Sequence, residues 1–206
     1  MRSALKVLRL SFQDTWQELW TILIVHLLFL LGNILIIPGP PAIVAMFFYG
    51  NRIAHGETAD ERDFLKAICK YWKPAWRWGF INLLMIGLLA GDYYLTGKMA
   101  NHSNTIYFMQ SLYVTLLAGW LLLQLFALPF LLEQEQPSVF QAWRNAAVFV
   151  GRNLMFVFML LLLLTLSLTV GTVVFMLTFA FGGAFIAFAS NRAVIEHIAD
   201  REGFQT

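Results

Sequence analysis

Thirteen of the fourteen Lys and Arg residues of this chain fall in four short windows, and the stretches between those windows are long and apolar. The windows are residues 1–19, with Arg2, Lys6 and Arg9; 51–78, with Arg52, Arg62, Lys66, Lys70, Lys73 and Arg77; 133–153, with Arg144 and Arg152; and 191–206, with Arg192 and Arg201. Lys98 alone lies between windows. If the chain crosses a bilayer an even number of times between successive windows, all four share one face, and their positive charge makes that face the cytoplasm.

Composition agrees with a bilayer setting. Hydrophobic residues make up 59% of the chain and charged residues 13%, with a mean hydropathy of +0.68, whereas soluble domains carry roughly a quarter charged residues. A length of 206 residues holds about six spans of roughly 20 residues with short connections. We therefore expect one transmembrane domain over 1–206 and no separate soluble catalytic domain. A net charge of +2 is too small to suggest nucleic acid, which leaves the lipid bilayer as the expected partner. The single Cys69 excludes an intramolecular disulfide or a cysteine-cluster metal site, and no cofactor is expected; a reduced thiol suits the predicted cytoplasmic segment. Nineteen mixed residues precede the first apolar run and no small-x-small pattern follows it, so the N-terminus is not read as a cleavable signal.

Spans are predicted at about 20–37, 42–54, 74–95, 105–132, 153–170 and 173–190. Pro38-Gly39-Pro40-Pro41 forces a turn after the first, since tandem prolines cannot continue a helix but suit the first positions of the next. The second span is short enough either to cross a thinned bilayer or to enter only partway. The fourth is long enough to require tilt or a kink near Pro129. Residues 154–190 carry no charge; as one helix they would be about 55 Å long against roughly 30 Å of hydrocarbon, so the run must fold back. Its softest point is 165–172, where Ser167, Thr169 and Gly171 fall.

Each pair of spans is introduced by an amphipathic segment. In the first, Leu5, Leu8, Phe12, Trp16 and Leu19 recur at helical spacing opposite Arg2, Lys6, Arg9, Gln13 and Gln17. In the second, Lys66, Lys70, Lys73 and Arg77 form a stripe opposite Phe64, Ile68, Trp72 and Trp76, with a break expected at Pro74. In the third, Pro137-Ser138 starts a helix whose apolar stripe is Phe140, Trp143, Ala147 and Val150. Phe48-Tyr49-Gly50-Asn51-Arg52 and Phe188-Ala189-Ser190-Asn191-Arg192 read as matching exits from the second and sixth spans. The expected architecture is all-α: a polytopic bundle of six spans in three hairpins, each led by a cytoplasmic interfacial helix, with both termini cytoplasmic.

The order of an amphipathic tryptophan-bearing segment, a first span, Pro40-Pro41-Ala42, a short second span ending in Asn51-Arg52 and Gly56-Glu57, then Phe64 through Trp72 leading into a third span, resembles the YesL-type family of bacterial integral membrane proteins. The resemblance is strongest over residues 8–95 and extends to the six-span layout. It implies a plasma-membrane protein of uncharacterised activity, associated with carbohydrate-uptake systems of the ABC type. It supplies no catalytic or binding residues.

Chemistry must then be sought in polar residues at membrane depth, which are costly unless paired or facing water. Those residues are His26 and Asn33 in the first span, Asn82 and Asp92 in the third, and Gln110 and Gln124 in the fourth. His26 and Asn33, seven apart, share a face. That face suits either a proton or solute pathway or two interhelical hydrogen bonds worth about 0.6–2 kcal/mol each. Gln124 lies deepest and most needs a partner, while Asp92 beside Tyr93-Tyr94 reads as an interfacial carboxylate. Lys66, Lys70, Lys73 and Arg77 form a candidate surface for anionic lipid or for an acidic partner, such as a membrane transporter complex. Gly87-x-x-x-Gly91, Ala180-x-x-x-Ala184 and Gly183-x-x-x-Ala187 mark helix contacts, within the bundle or between copies in a homo-oligomer. Trp16, Trp20, Trp72, Trp76, Trp78 and Trp143 read as interfacial anchors. The motifs of metalloproteases, serine hydrolases and phosphate-binding loops are absent, so no catalytic residue is assigned. The function expected is a non-enzymatic accessory component; the alternative is a small transporter or channel with a broken-helix site around Pro38–Pro41.

Overall fold

The computed structural model describes residues 2–98, 104–173, 183 and 185–196, and every regular element among them is helical. In chain order these are α1 (Arg2–Gln17), α2 (Leu19–Ile34), α3 (Gly39–Ala54), α4 (Glu61–Lys70), α5 (Trp72–Gly97), α6 (Asn104–Leu132), α7 (Val139–Arg152) and α8 (Leu154–Val173). A further helical stretch covers 185–196. The all-α expectation holds. Helices α5 and α6 are each long and apolar enough to cross a membrane, and the bent pairs α1–α2 and α7–α8 also qualify if each is one span.

Those pairs turn through 92° and 96°. At Glu18 and Asn153 the backbone leaves helical values for a single residue, yet the hydrogen-bond ladder passes through both: the Ile22 N–H donates to the Glu18 carbonyl, and the Val157 N–H to that of Asn153. The Asn153 side chain also donates to the Phe149 carbonyl at 2.9 Å. A right angle without a loop lets one helix lie along a surface while the next runs into it. Between α4 and α5 the break falls at Tyr71, three residues before the expected Pro74. Pro74 has no N–H for the Lys70 carbonyl, so the ladder fails before the proline, which then sits in the first turn of α5 where it is tolerated.

Helix α1 differs from its sequence reading in an instructive way. The face it packs on the protein is Ala4, Val7, Ser11 and Asp14, not the bulky stripe. Leu5, Phe12 and Trp16 stay 48–69% exposed, while Lys6, Arg9, Gln13 and Gln17 form a third, polar exposed face. At 100° per residue the apolar and polar outer faces lie roughly 140° from the packed face on either side, and about 85° from each other. The helix thus presents one face to protein and two chemically different faces, bulky apolar and charged, away from it. The stripe of period 3.6 was visible in the sequence; that it turns away from the protein was not.

Two apolar cores form. One joins α2, α3, α4, the N-terminal part of α5 and the C-terminal part of α6 around Ile22, Met46, Tyr49, Phe64, Trp78 and Leu128. The other joins α1, α6, α7 and α8 around Val7, Phe126, Phe149 and Leu160. The stretch 185–196 contributes Phe188 to the first and Ala189, Ala193 and Val194 to the second. The two matching exit motifs pack on each other here. Tyr49 and Phe188 stack at 6.0 Å, a Cβ on Gly50 would meet Phe188 at 2.8 Å, and Asn191 donates to the Phe47 carbonyl at 3.0 Å. Each exit also ends in an ion-paired arginine: Arg52 with Glu57 and Asp63, and Arg192 with Asp14 through both carboxylate oxygens at 3.0 and 3.1 Å.

Two expectations change. Helix α8 runs unbroken through 165–172; Thr169 donates to the Thr165 carbonyl at 2.8 Å, so its hydroxyl is absorbed by the helix and opens no turn. Among the described residues nothing lies within 4 Å of a Cβ added at Gly87 or Gly91, so no described helix is seated on them. Besides Gly50, tight approaches lie at Gly32 against Ala42 and Gly79 against Pro40, each 2.8 Å from an added Cβ. Gly183 approaches His26, whereas Ala180 and Ala184 lie outside the described residues.

Candidate functional site

Among the described residues, buried and half-buried polar side chains of α5 and α6 form a reciprocal clasp. Trp78 and Asn82 stand one turn apart on α5, as do Trp120 and Gln124 on α6. The Trp78 indole N–H donates to Gln124 Oε1 at 2.8 Å, and the Trp120 indole N–H donates to Asn82 Oδ1 at 2.9 Å. Each tryptophan thus bonds to the amide of the opposite helix, a pairing that antiparallel helices permit. Helix α7 adds Trp143, whose indole N–H reaches Gln124 Oε1 at 2.9 Å, with Asn82 Nδ2 farther off at 3.4 Å. The rings of Trp120 and Trp143 lie 5.3 Å apart.

Indole nitrogen only donates, so the two short bonds fix the Gln124 amide with its oxygen toward Trp78 and Trp143. Its Nε2 then has no acceptor among the described residues. All five side chains are uncharged over the accessible pH range, so the clasp can hold a polar acceptor or lock helices but cannot relay protons. Trp78 is buried and Trp143 half-buried, and both spend their indole N–H inside the protein. The signal was present as Trp-x-x-x-Asn and Trp-x-x-x-Gln in consecutive apolar runs, a spacing that puts ring and amide on one helix face.

His26 and Asn33 do not join this clasp. His26 is buried beside Phe29, with ring centroids 5.6 Å apart, and beside Gly183. Asn33 donates to the Phe29 carbonyl of its own helix at 2.8 Å. The turn after Asn33 is closed to solvent bonding: the N–H groups of Leu35, Ile36, Ile37, Gly39 and Ala42 donate to Leu31, Asn33, Leu35, Ile36 and Pro38 respectively, and the intervening prolines have none. Ile34 to Ile37 are nevertheless exposed, and Ile36 holds φ at 61°, a region costly for a β-branched residue. A glycine would sit there more easily, so the turn keeps a hydrocarbon side chain at the expense of backbone strain. Asp92 is exposed, and Gln110 reaches the Tyr93 carbonyl only at 3.5 Å.

The basic stripe is divided by the break at Tyr71. Lys66 and Lys70 lie on α4, Lys73 and Arg77 on α5, and all four are exposed. Lys66 approaches Asp63 at 3.6 Å, and Lys70 lies over the rings of Phe48 and Tyr71 at 5.5 and 5.0 Å. Helix α4 is capped at its N-terminus by Asp60, whose side chain accepts from the Asp63 N–H at 2.8 Å. Burial would raise the Asp63 carboxyl, but Arg52 at 2.6 Å, a backbone hydrogen bond at Asp60 and Lys66 together hold it below the ordinary carboxylate value. Glu133, at the end of α6, ties down α3 through Asn51 at 2.5 Å and His55 at 2.9 Å.

Among the described residues no group of three or more His, Cys, Asp or Glu side chains is placed to hold a metal ion. No protein-family model matches the chain, nor does any curated protein or solved structure.

Proposed function

We propose that this chain is a non-enzymatic integral membrane protein of the bacterial plasma membrane, acting as an accessory component of a transport assembly. In this reading six membrane-embedded helices form three hairpins, each led by an interfacial helix (α1, α4 and α7), with both termini cytoplasmic. The right-angle bends and the three-faced α1 support the interfacial role. Helices α2 and α3, at 16 residues each, are about 24 Å long and shorter than the roughly 30 Å core. The closed, apolar turn between them therefore ends inside hydrocarbon, which its satisfied N–H groups permit. The parity of crossings, and with it the placement of the basic windows, is unchanged. The link to carbohydrate uptake rests on the resemblance to the YesL-type family alone.

The observation that carries the accessory reading is α4. Phe64 and Ala67 are buried against the bundle, leaving Arg62 and Lys66 exposed on its far side beside Leu65 and Cys69, a surface suited to an acidic partner. The test is co-purification in mild detergent, comparing the native chain with R62Q/K66Q. One partner retained by the native chain and lost from the variant is expected; recovery of the protein alone under several gentle conditions argues against the reading. For the hairpin, a cysteine at Leu35 in a Cys69→Ala background should resist membrane-impermeant maleimide from both sides. Labelling from outside instead establishes full crossing.

The alternative, a small transporter or channel, is favoured by the proline break and by Asn33 Oδ1 facing Gly39 across it. Transporter breaks present free backbone donors to the solute, whereas the donors here are consumed within the turn. Solute or proton flux in proteoliposomes that falls on His26→Leu or Asn33→Leu decides for transport; no flux across a broad solute panel decides against it.

A further inference from the structure

The outer face of α5 carries two open grooves in series. The first, about 590 Å³, is lined by Trp72, Lys73, Trp76, Arg77, Phe80 and Ile81. The second, about 300 Å³, shares Phe80 and continues past Leu83, Leu84, Gly87 and Leu88. Polarity changes once along this track. Lys73 and Arg77, one turn apart, stand at its start, and everything beyond Arg77 is apolar. Among the described residues neither cation forms an ion pair, unlike Lys66 and Lys70 on α4, which have Asp63 and two aromatic rings for neighbours. From Lys73 to Leu88 the helix rises about 22 Å, close to one leaflet, which is half of the roughly 40–45 Å bilayer.

From this geometry we infer that α5 binds an anionic glycerophospholipid, its phosphate between Lys73 and Arg77 and one acyl chain along the groove from Phe80 to Leu88. The inference rests on α5 crossing the bilayer and is independent of any protein partner of α4. Trp72 and Trp76 sit where headgroup meets chain, a level that suits an apolar ring with a polar N–H. A zwitterionic headgroup would bring its own cation against Lys73 and Arg77, so the charge selects the lipid. Gly87 leaves the chain's path open, because no described residue lies within 4 Å of the position its Cβ would take.

The experiment uses the full chain in mild detergent, titrated with phosphatidylglycerol or phosphatidylcholine and read by native mass spectrometry. Retention of one phosphatidylglycerol, at least about tenfold tighter than phosphatidylcholine, is expected. K73Q/R77Q should abolish that preference. G87F should weaken long-chain phosphatidylglycerol severalfold while leaving the headgroup preference intact, since it closes only the apolar groove. R62Q/K66Q should bind lipid like the native chain, so that loss of a protein partner and loss of lipid are separately visible. Equal retention of the two lipids, or equal weakening by R62Q/K66Q and K73Q/R77Q, overturns the proposal in favour of diffuse charge. Displacement of the lipid by millimolar inorganic phosphate overturns it in favour of a free-anion site.

Discussion

At the turn between α2 and α3 the polar groups that need partners belong to the backbone; between α5 and α6 they belong to side chains. The first satisfies its turn with short-range N–H to carbonyl bonds and three prolines, and leaves the side chains of Ile34 to Ile37 outward and apolar. The second buries two amides and closes them with indoles from the opposite helix and from α7. Local backbone closure needs no neighbour, so such a turn can face lipid. Side-chain closure needs partners from three helices, so it specifies how those helices assemble. The difference separates a turn closed by its own backbone from a clasp that ties three helices together.

The largest test of this contrast is Gln124→Leu. It leaves the Trp78 and Trp143 indoles without their acceptor, at about 1–3 kcal/mol for each buried orphan, so a loss of roughly 2–5 kcal/mol is expected by denaturant unfolding in micelles. Adding Trp78→Phe should cost less in that background than in the native chain; strict additivity breaks the idea of a shared clasp.

Glycine substitutions come next and should differ in sign. Gly32→Ala places a Cβ 2.8 Å from that of Ala42 and should destabilise by about 1–3 kcal/mol through overpacking. Gly87→Ala meets none of the described residues and should stabilise by about 0.5–1 kcal/mol through helix propensity. Equal effects at the two positions remove the distinction between the packed and open glycines.

A smaller effect is expected at Ile36→Gly. Relief of the left-handed backbone is worth about 1–2 kcal/mol and is partly offset by glycine's greater unfolded-state freedom. A net gain of about 1 kcal/mol or less should therefore accompany weaker association of the hairpin with lipid, read by liposome flotation of the isolated variant against the native chain. A loss of stability shows that Ile36 is held by contacts and not by strain.

The smallest effect concerns Asp63. Its carboxyl is held below the ordinary value in the folded chain, so its contribution is complete above that value and is lost as pH falls through the lowered one. Stability of the native chain should decline slightly more than that of Asp63→Asn on acidification below about pH 4. Parallel pH profiles show that the Arg52–Asp63 pair contributes nothing measurable, a common outcome for partly exposed pairs.

Much of the helix layout was legible because period-3.6 patterns and proline chemistry act locally. The turn at Pro38–Pro41, the start of α7 after Ser138 and the separation of α4 from α5 all follow from neighbours in the chain. The candidate sites were less legible. Lys73 and Arg77 appeared in one stripe with Lys66 and Lys70, and only the break at Tyr71 divides them. Gln124 was visible as a residue needing a partner, but its partners lie 46 and 19 positions away, and apolar sequence between them does not encode which faces meet.

By itself, then, the amino-acid order determined the helical class, the approximate helix boundaries, the clustering of cations and the presence of polar groups that hydrocarbon would not tolerate unpaired. Tertiary structure alone decided that α1 packs through its small residues and turns its bulky stripe outward, that the two exit motifs stack on each other, and that Trp78, Trp120 and Trp143 belong to the interior. The physical reason is the same in each case. Period and backbone chemistry depend on residues within a few positions, whereas choosing which apolar face meets protein depends on close packing and hydrogen-bond closure between helices far apart in the chain.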